Sequence, residues 1–149
     1  PVEKCVCSAA ELDRYRRKLS GPILDRIDLQ IAVPRLTPEE LLSFSGGAES
    51  SATIRSRVVR ARKVQQRRWA PFGLSCNAEL PEKLVRRHLE LSAESRDYLA
   101  GMAGRLKLSG RGISRVLKVA RTIADLAGEP SIRTPHLAEA LMYRQGNAP

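Results

Sequence analysis

The sequence predicts a mainly α-helical protein: a bundle of helices over residues 51–146, preceded by a linker over 34–50 and a leading segment, 1–33, with one helix and one strand. Three observations point there. Apolar residues recur at helical spacing through the second half, most clearly at Ile113, Val116, Leu117, Ala120, Ile123, Ala124 and Ala127. Capping and breaking residues punctuate that half at short intervals. Strict alternation of apolar and polar residues, the mark of a half-buried strand, is confined to Ile27–Val33.

Taken in order, residues 9–19 form a first helix. Ser8 caps it and Glu11 completes a capping box, because each side chain can take up an amide that the first turn leaves unpaired. Ser20-Gly21-Pro22 ends it, since proline cannot continue the hydrogen-bond ladder. A short turn over 23–26 leads into the strand, which stops at Pro34. One strand cannot satisfy its own amides and carbonyls, so it either pairs with strands outside this chain or packs loosely, as does the rest of residues 1–50. Thr37-Pro38 opens a short helix toward Phe44, and Ser45-Gly46-Gly47 closes the linker.

Helical patterning then resumes. Residues 51–68 align Ile54, Val58 and Ala61 on one stripe, with Trp69 beside it, until Pro71-Phe72-Gly73. Pro81 starts a short helix over 81–90, and Ser92 caps another over 93–106. Ser109-Gly110 precedes the long helix 111–127, which Gly128 ends. Thr134 and Pro135 read as N-cap and first-turn proline of a last helix to about Arg144.

Composition narrows the function. The chain has 149 residues, 42% apolar, enough to fill a core. No run approaches the roughly 18–20 apolar residues of a membrane span. Three cysteines are too few for a disulfide scaffold, which suggests a reducing, cytoplasmic setting. Aromatics at 4% disfavour a stacking platform for single-stranded nucleic acid. The chain opens at Pro1, close before Cys5-x-Cys7, which predicts a piece of a longer protein.

The net charge is +10, and it is clustered. Seven basic and no acidic residues lie between Arg55 and Arg68, including Arg60, Arg62, Lys63, Arg67 and Arg68. Six basic and no acidic residues lie between Arg105 and Arg121, where Arg111, Arg115, Lys118 and Thr122 share one helix face. Such faces attract phosphate, of a nucleotide or of a nucleic acid; both also suit a solvated surface. Chemistry is otherwise scarce. No Gly-x-x-x-x-Gly-Lys loop is present, and no apolar strand ends in Asp-Glu to hold magnesium. His88 and His136 have no nucleophile at a recognisable spacing and read as surface or helix-end residues. Cys5 and Cys7 are half of the four ligands a tetrahedral zinc needs; by themselves they read as ordinary thiols.

Three stretches change the picture: LSGPILDRIDL at 19–29, ESSATIR at 49–55, and LKLSGRGISRVLKVARTIADLAG at 106–128. In this order and spacing they resemble the magnesium chelatase-related AAA+ ATPases, in the bacterial branch associated with competence and DNA processing. The likeness runs from Cys5 to Arg144. It implies that residues 1–33 are the end of an α/β ATPase core, that 51–146 are the C-terminal helical lid, and that the nucleotide-binding core lies upstream. ATP and magnesium would then serve the full-length protein, with none bound to this segment and no hydrolysis by it alone. The same resemblance makes Cys5 and Cys7 the second half of a possible zinc site.

Two arginines carry over from the resemblance. Arg26, in Leu24-Asp25-Arg26, matches the arginine finger that reaches the nucleotide of a neighbouring subunit; the bland alternative is a salt bridge to Asp25 or Asp28. Arg111 matches the sensor 2 arginine, which touches the nucleotide of its own subunit, with Arg115 as substitute one turn later. The partners implied are subunits of a homo-oligomeric ring, a hexamer, together with DNA, and no membrane. Competing readings are a stand-alone helix-turn-helix DNA-binding module over 93–127, with 111–127 as recognition helix, and a chelatase-type subunit with no nucleic-acid role.

Overall fold

A computed structural model of the chain describes residues 6–18, 23, 26–42 and 49–144. Seven α-helices occur among these residues: α1 (Ala9–Lys18), α2 (Pro38–Leu42), α3 (Ser51–Trp69), α4 (Glu82–His88), α5 (Ala93–Arg105), α6 (Gly110–Ala127) and α7 (Thr134–Met142). Short 3₁₀ turns at Ala70–Phe72 and Asn77–Glu79 join α3 to α4. The expectation of a mainly helical lid bundle is met.

Local chemistry explains most boundaries. The Ser8–Glu11 box forms at α1, where the Glu11 carboxylate accepts from the Ser8 hydroxyl (2.7 Å) and amide (2.8 Å); these bonds hold its pKa below the usual carboxylate value. Thr37 and Glu40 make the equivalent exchange at α2. Ser50, Ser92 and Ser109 each accept an amide of the first turn of the following helix, those of Thr53, Ser95 and Gly112. Gly128 ends α6 at φ +76°, a left-handed conformation that a side chain would strain.

Helix α6 is the centre of the bundle. Helices α3, α4 and α7 and the 77–79 turn pack against it, while α5 rests on α7. Val116 and Ala120 of α6 share one core with Leu137, Ala140 and Leu141 of α7, and Trp69, Leu80, Val85 and Leu99 complete it. The small residues on α6 let its neighbours approach closely, and Trp69 fills the space beyond them.

Three expectations change. First, Ile54 and Val58 share a stripe with Ala61, yet they are 42% and 43% exposed while Ala61 is buried. The sequence spacing is right, but α3 outruns the core, so only its half from Ala61 to Trp69 finds a surface to cover. Second, Ile27–Val33 forms no strand, and the single bridge among the described residues joins Leu91 to Ile132. Lacking a ladder, the segment is fastened through the Gln30 amide to the Tyr143 carbonyl (2.9 Å) and through the Ile27 carbonyl, which accepts from Arg144 Nη1 (2.6 Å). Third, the cap of α7 is Arg133, with Thr134 and Pro135 inside the helix; the His136 ring supplies the capping acceptor through Nδ1 to the Arg133 amide (3.0 Å). Phe44 and the 45–47 linker lie outside the described residues.

The unequal burial makes a contrast measurable by urea unfolding. Leu137→Ala, at a fully buried site, is expected to cost about 2–5 kcal/mol. Ile54→Ala is expected to stay within about 0.5 kcal/mol of the parent, and a comparable loss at both positions would contradict this core.

Candidate functional site

Helix α6 carries two polar constellations, one buried near its C-terminal end and one on a cleft near its start. The buried one is centred on Asp125, whose side chain is 0% exposed. Its Oδ1 accepts from Arg68 Nη2 (2.7 Å) and Arg121 Nε (3.1 Å), and its Oδ2 accepts from Arg68 Nη1 (2.9 Å) and Asn77 Nδ2 (2.9 Å). Arg121 spends its other donors on the carbonyls of Pro130 (2.9 Å) and Glu129 (2.6 Å). Burial pushes the Arg121 pKa down, and the Asp125 charge opposes that shift. Asn77 is saturated too: its Oδ1 accepts the Trp69 indole N–H (2.8 Å), its second amide hydrogen goes to Thr122 Oγ1 (3.0 Å), and its backbone N–H goes to Gln65 (3.3 Å). Because the indole is a donor only, this contact fixes which way the Asn77 amide points. The network joins α3, the 77–79 turn, α6 and the loop after it.

The second constellation lines a cleft of about 300 Å³ bounded by Asp28, Leu80, Pro81, Glu82, Arg111, Ser114, Arg115 and Lys118. Arg115 donates through Nη1 to Asp28, while its buried Nε has no hydrogen-bond acceptor among the described residues. An unmet donor of that kind costs about 1–3 kcal/mol. Lys118 donates to the Ala78 carbonyl (3.1 Å). Burial lowers the Lys118 pKa, Asp28 opposes the shift, and the Arg115 charge adds to it. Arg111, in the first turn of α6, is exposed and makes no ion pair among the described residues. The basic face read from the sequence is therefore partly internal, with Arg115, Lys118 and Thr122 committed to neighbours and Arg111 facing solvent.

Other sequence-predicted residues fall apart in space or in role. Arg26 is exposed, in a turn closed by its N–H to the Ile23 carbonyl (2.9 Å). Asp28, one of its two alternative ion-pair partners, is engaged by Arg115; Asp25 lies outside the described residues. Arg60, Lys63 and Arg67 follow one another at i, i+3 and i+7 on α3 and are exposed, and Arg62 is exposed on another side. Arg68, expected among the nucleic-acid contacts, turns inward to Asp125. Cys7 is exposed, Cys5 lies outside the described residues, and among the described residues no three His, Cys, Asp or Glu side chains cluster as metal ligands do. His88 packs its ring edge-on to Phe72 (4.9 Å) and Trp69 (6.1 Å). From Gly112 to Asp125, α6 alternates buried and half-buried residues, and Arg111 in its first turn is exposed.

Residues 48–144 match the family model described as magnesium chelatase, subunit ChlI C-terminal, and residues 1–41 match that for magnesium chelatase, subunit ChlI. The chain is 42% identical over 137 residues to the competence protein ComM of Haemophilus influenzae, covering 92% of this chain and 26% of that protein. It is 40% identical over 138 residues to the uncharacterized protein YifB of Escherichia coli, covering 93% and 26%. An uncharacterized protein of Mycobacterium tuberculosis is 40% identical over 146 residues, covering 98% and 29%. The chain thus spans less than a third of the length of these relatives.

The buried network makes its own prediction. Asp125→Ala strands two arginines and is expected to cost about 3–5 kcal/mol of stability, whereas Arg60→Ala, on the exposed face, is expected to change it by less than about 0.5 kcal/mol. Equal effects in chemical denaturation would contradict the assigned roles.

Proposed function

This chain belongs to the magnesium chelatase family, and from that premise we propose that it is the lid and arginine-finger segment of an ATP-driven, ring-forming AAA+ protein that acts on DNA. In this reading the chain senses nucleotide and completes a neighbour's site, while the phosphate cradle and magnesium ligands are supplied by residues outside it. The observation that carries the reading is the cleft at the start of α6. Arg111 there is exposed and has no ion-pair partner among the described residues. An unpaired guanidinium on a cleft suits a phosphate oxygen, and at a helix N-terminus it adds its charge to that of the helix dipole.

The roles then divide. Arg111, rather than Arg115, is the sensor 2 residue, because Arg115 is engaged by Asp28. Arg26, exposed in its turn, is the finger offered to the next subunit of a homo-oligomeric ring. ATP with magnesium is the cofactor of the full-length protein; when bound, it supplies the phosphoryl group whose developing charge a finger stabilises. The DNA part rests on the exposed Arg60, Lys63 and Arg67 row of α3 and on the likeness to a competence protein. A row of arginines and lysine without Asn or Gln suits phosphate contacts more than base reading.

Arg26→Ala in the full-length protein is expected to leave nucleotide binding intact and to lower ATP turnover by roughly 10³-fold; unchanged turnover would reject the finger. Arg111→Ala is expected to weaken the nucleotide response of its own subunit, and rescue by mixing in wild-type subunits would argue against that placement. Titration of duplex and single-stranded DNA at several salt concentrations is expected to give steeply salt-dependent binding without sequence preference. Each of Arg60→Ala, Lys63→Ala and Arg67→Ala should lower the log–log salt slope by about 1. No binding at low salt would favour a chelatase-type subunit without a nucleic-acid role.

A further inference from the structure

We propose that Asp28 is a positioning residue: through Arg115 it ties the turn that carries Arg26 to the helix that carries Arg111, so that the state of one nucleotide cleft sets how the finger is presented to the next subunit. The inference rests on the reading of Arg26 as the finger.

Asp28 follows Arg26 by two residues, so the two α-carbons are at most about 7 Å apart. Its carboxylate accepts from Arg115, which lies one helical turn beyond Arg111 on the same cleft. The stretch is also fastened at Gln30 to the Tyr143 carbonyl and at the Ile27 carbonyl to Arg144. Beyond Gln30 the chain peels away: exposure rises from 39% at Ile27 and 48% at Leu29 to 68% at Ile31 and 86% at Val33. The attachment is thus concentrated at the end next to the finger. Of these three fastenings, only the Asp28–Arg115 pair reaches α6, and it alone joins opposite charges.

That pair is also open to competition. Arg115 lines the cleft, and its one hydrogen bond among the described residues runs through Nη1 to Asp28, so the guanidinium has donors left for phosphate, a strong acceptor for arginine. An anion held beside Arg111 therefore draws on the same guanidinium as Asp28. Whether Arg115 shares the two or yields one, the position of Asp28 changes, and the short backbone to Arg26 carries that change to the finger. Coupling of this kind follows from differential contacts in two states, not from distance.

Full-length protein carrying Asp28→Asn, which removes the charge and keeps the shape, tests this. Without nucleotide, the Gln30 amide is expected to exchange with solvent about tenfold faster than in the parent. ATP turnover should fall about tenfold while nucleotide affinity stays within about twofold. Asp28→Glu, which keeps the charge, should retain most of the turnover, a rescue that loss of a bystander contact does not give. If Arg26→Ala impairs turnover but Asp28→Asn changes neither turnover nor Gln30 exchange, the coupling role is overturned and the finger stands. If Asp28→Glu is no better than Asp28→Asn, the coupling role is likewise overturned. If Arg26→Ala leaves turnover intact, the finger reading falls and this proposal falls with it.

Discussion

Taking a carboxylate fully out of water costs several kcal/mol unless other groups replace its hydration. Asp125 meets that condition by accepting four hydrogen bonds from three side chains. Those donors come from the end of α3, from the 77–79 turn and from α6 itself, so the carboxylate can be buried only when all three elements are in place. Arg121 extends the requirement to the loop after α6 through its bonds to Glu129 and Pro130. The apolar core is modest, with alanines at Ala120, Ala124 and Ala140. Apolar packing is non-directional, so it favours the association of these helices without fixing their rotation; the directed hydrogen bonds to Asp125 specify it.

Fixing α6 in this way has a consequence for its other end. A helix held rigid at its C-terminal half presents its first turns in a defined direction, and the cleft residues Arg111, Ser114, Arg115 and Lys118 follow. The charges divide by environment. Arg68, Arg115 and Arg121 are drawn inward by carboxylates, while Arg60, Lys63, Arg67 and Arg111 remain at the surface. Net charge alone therefore overstates the cationic surface available to a phosphate ligand. These four lie in separate places, three in a row along α3 and one at the mouth of the cleft.

Most of the fold was legible because it is written in local chemistry. Serines at 8, 50, 92 and 109 accept the amides of the turns that follow them, and Gly128 adopts the backbone that a helix end requires. The apolar stripe of α6 follows directly from 3.6-residue spacing. What was not legible depends on partners far along the chain. Ile54 and Val58 have the right spacing for a core, yet nothing in their own neighbourhood says that the core ends at Ala61. Arg68 lies 57 residues from Asp125, and a run of basic residues gives no sign that one of them turns inward. One signal was available: Arg121 and Asp125 flank Ala120 and Ala124 on the buried stripe, an oppositely charged i, i+4 pair where apolar residues were expected. The roles proposed for Arg26 and Arg111 came from family resemblance rather than from spacing, and Asp28 drew notice only as an alternative partner for Arg26. Its contact with Arg115 spans 87 residues, beyond any local pattern.

Native-state hydrogen exchange resolved by residue tests most directly whether Asp125 makes one cooperative unit of α3, α6 and the turn between them. Amides in the Ala61–Trp69 half of α3 and in the Val116–Asp125 part of α6 should share one opening free energy, equal to that of global unfolding, while the Ser51–Arg60 half frays at lower energy. If residues 61–69 open well below α6, the helices are held by separate contacts, and the central place given to the Asp125 carboxylate is wrong.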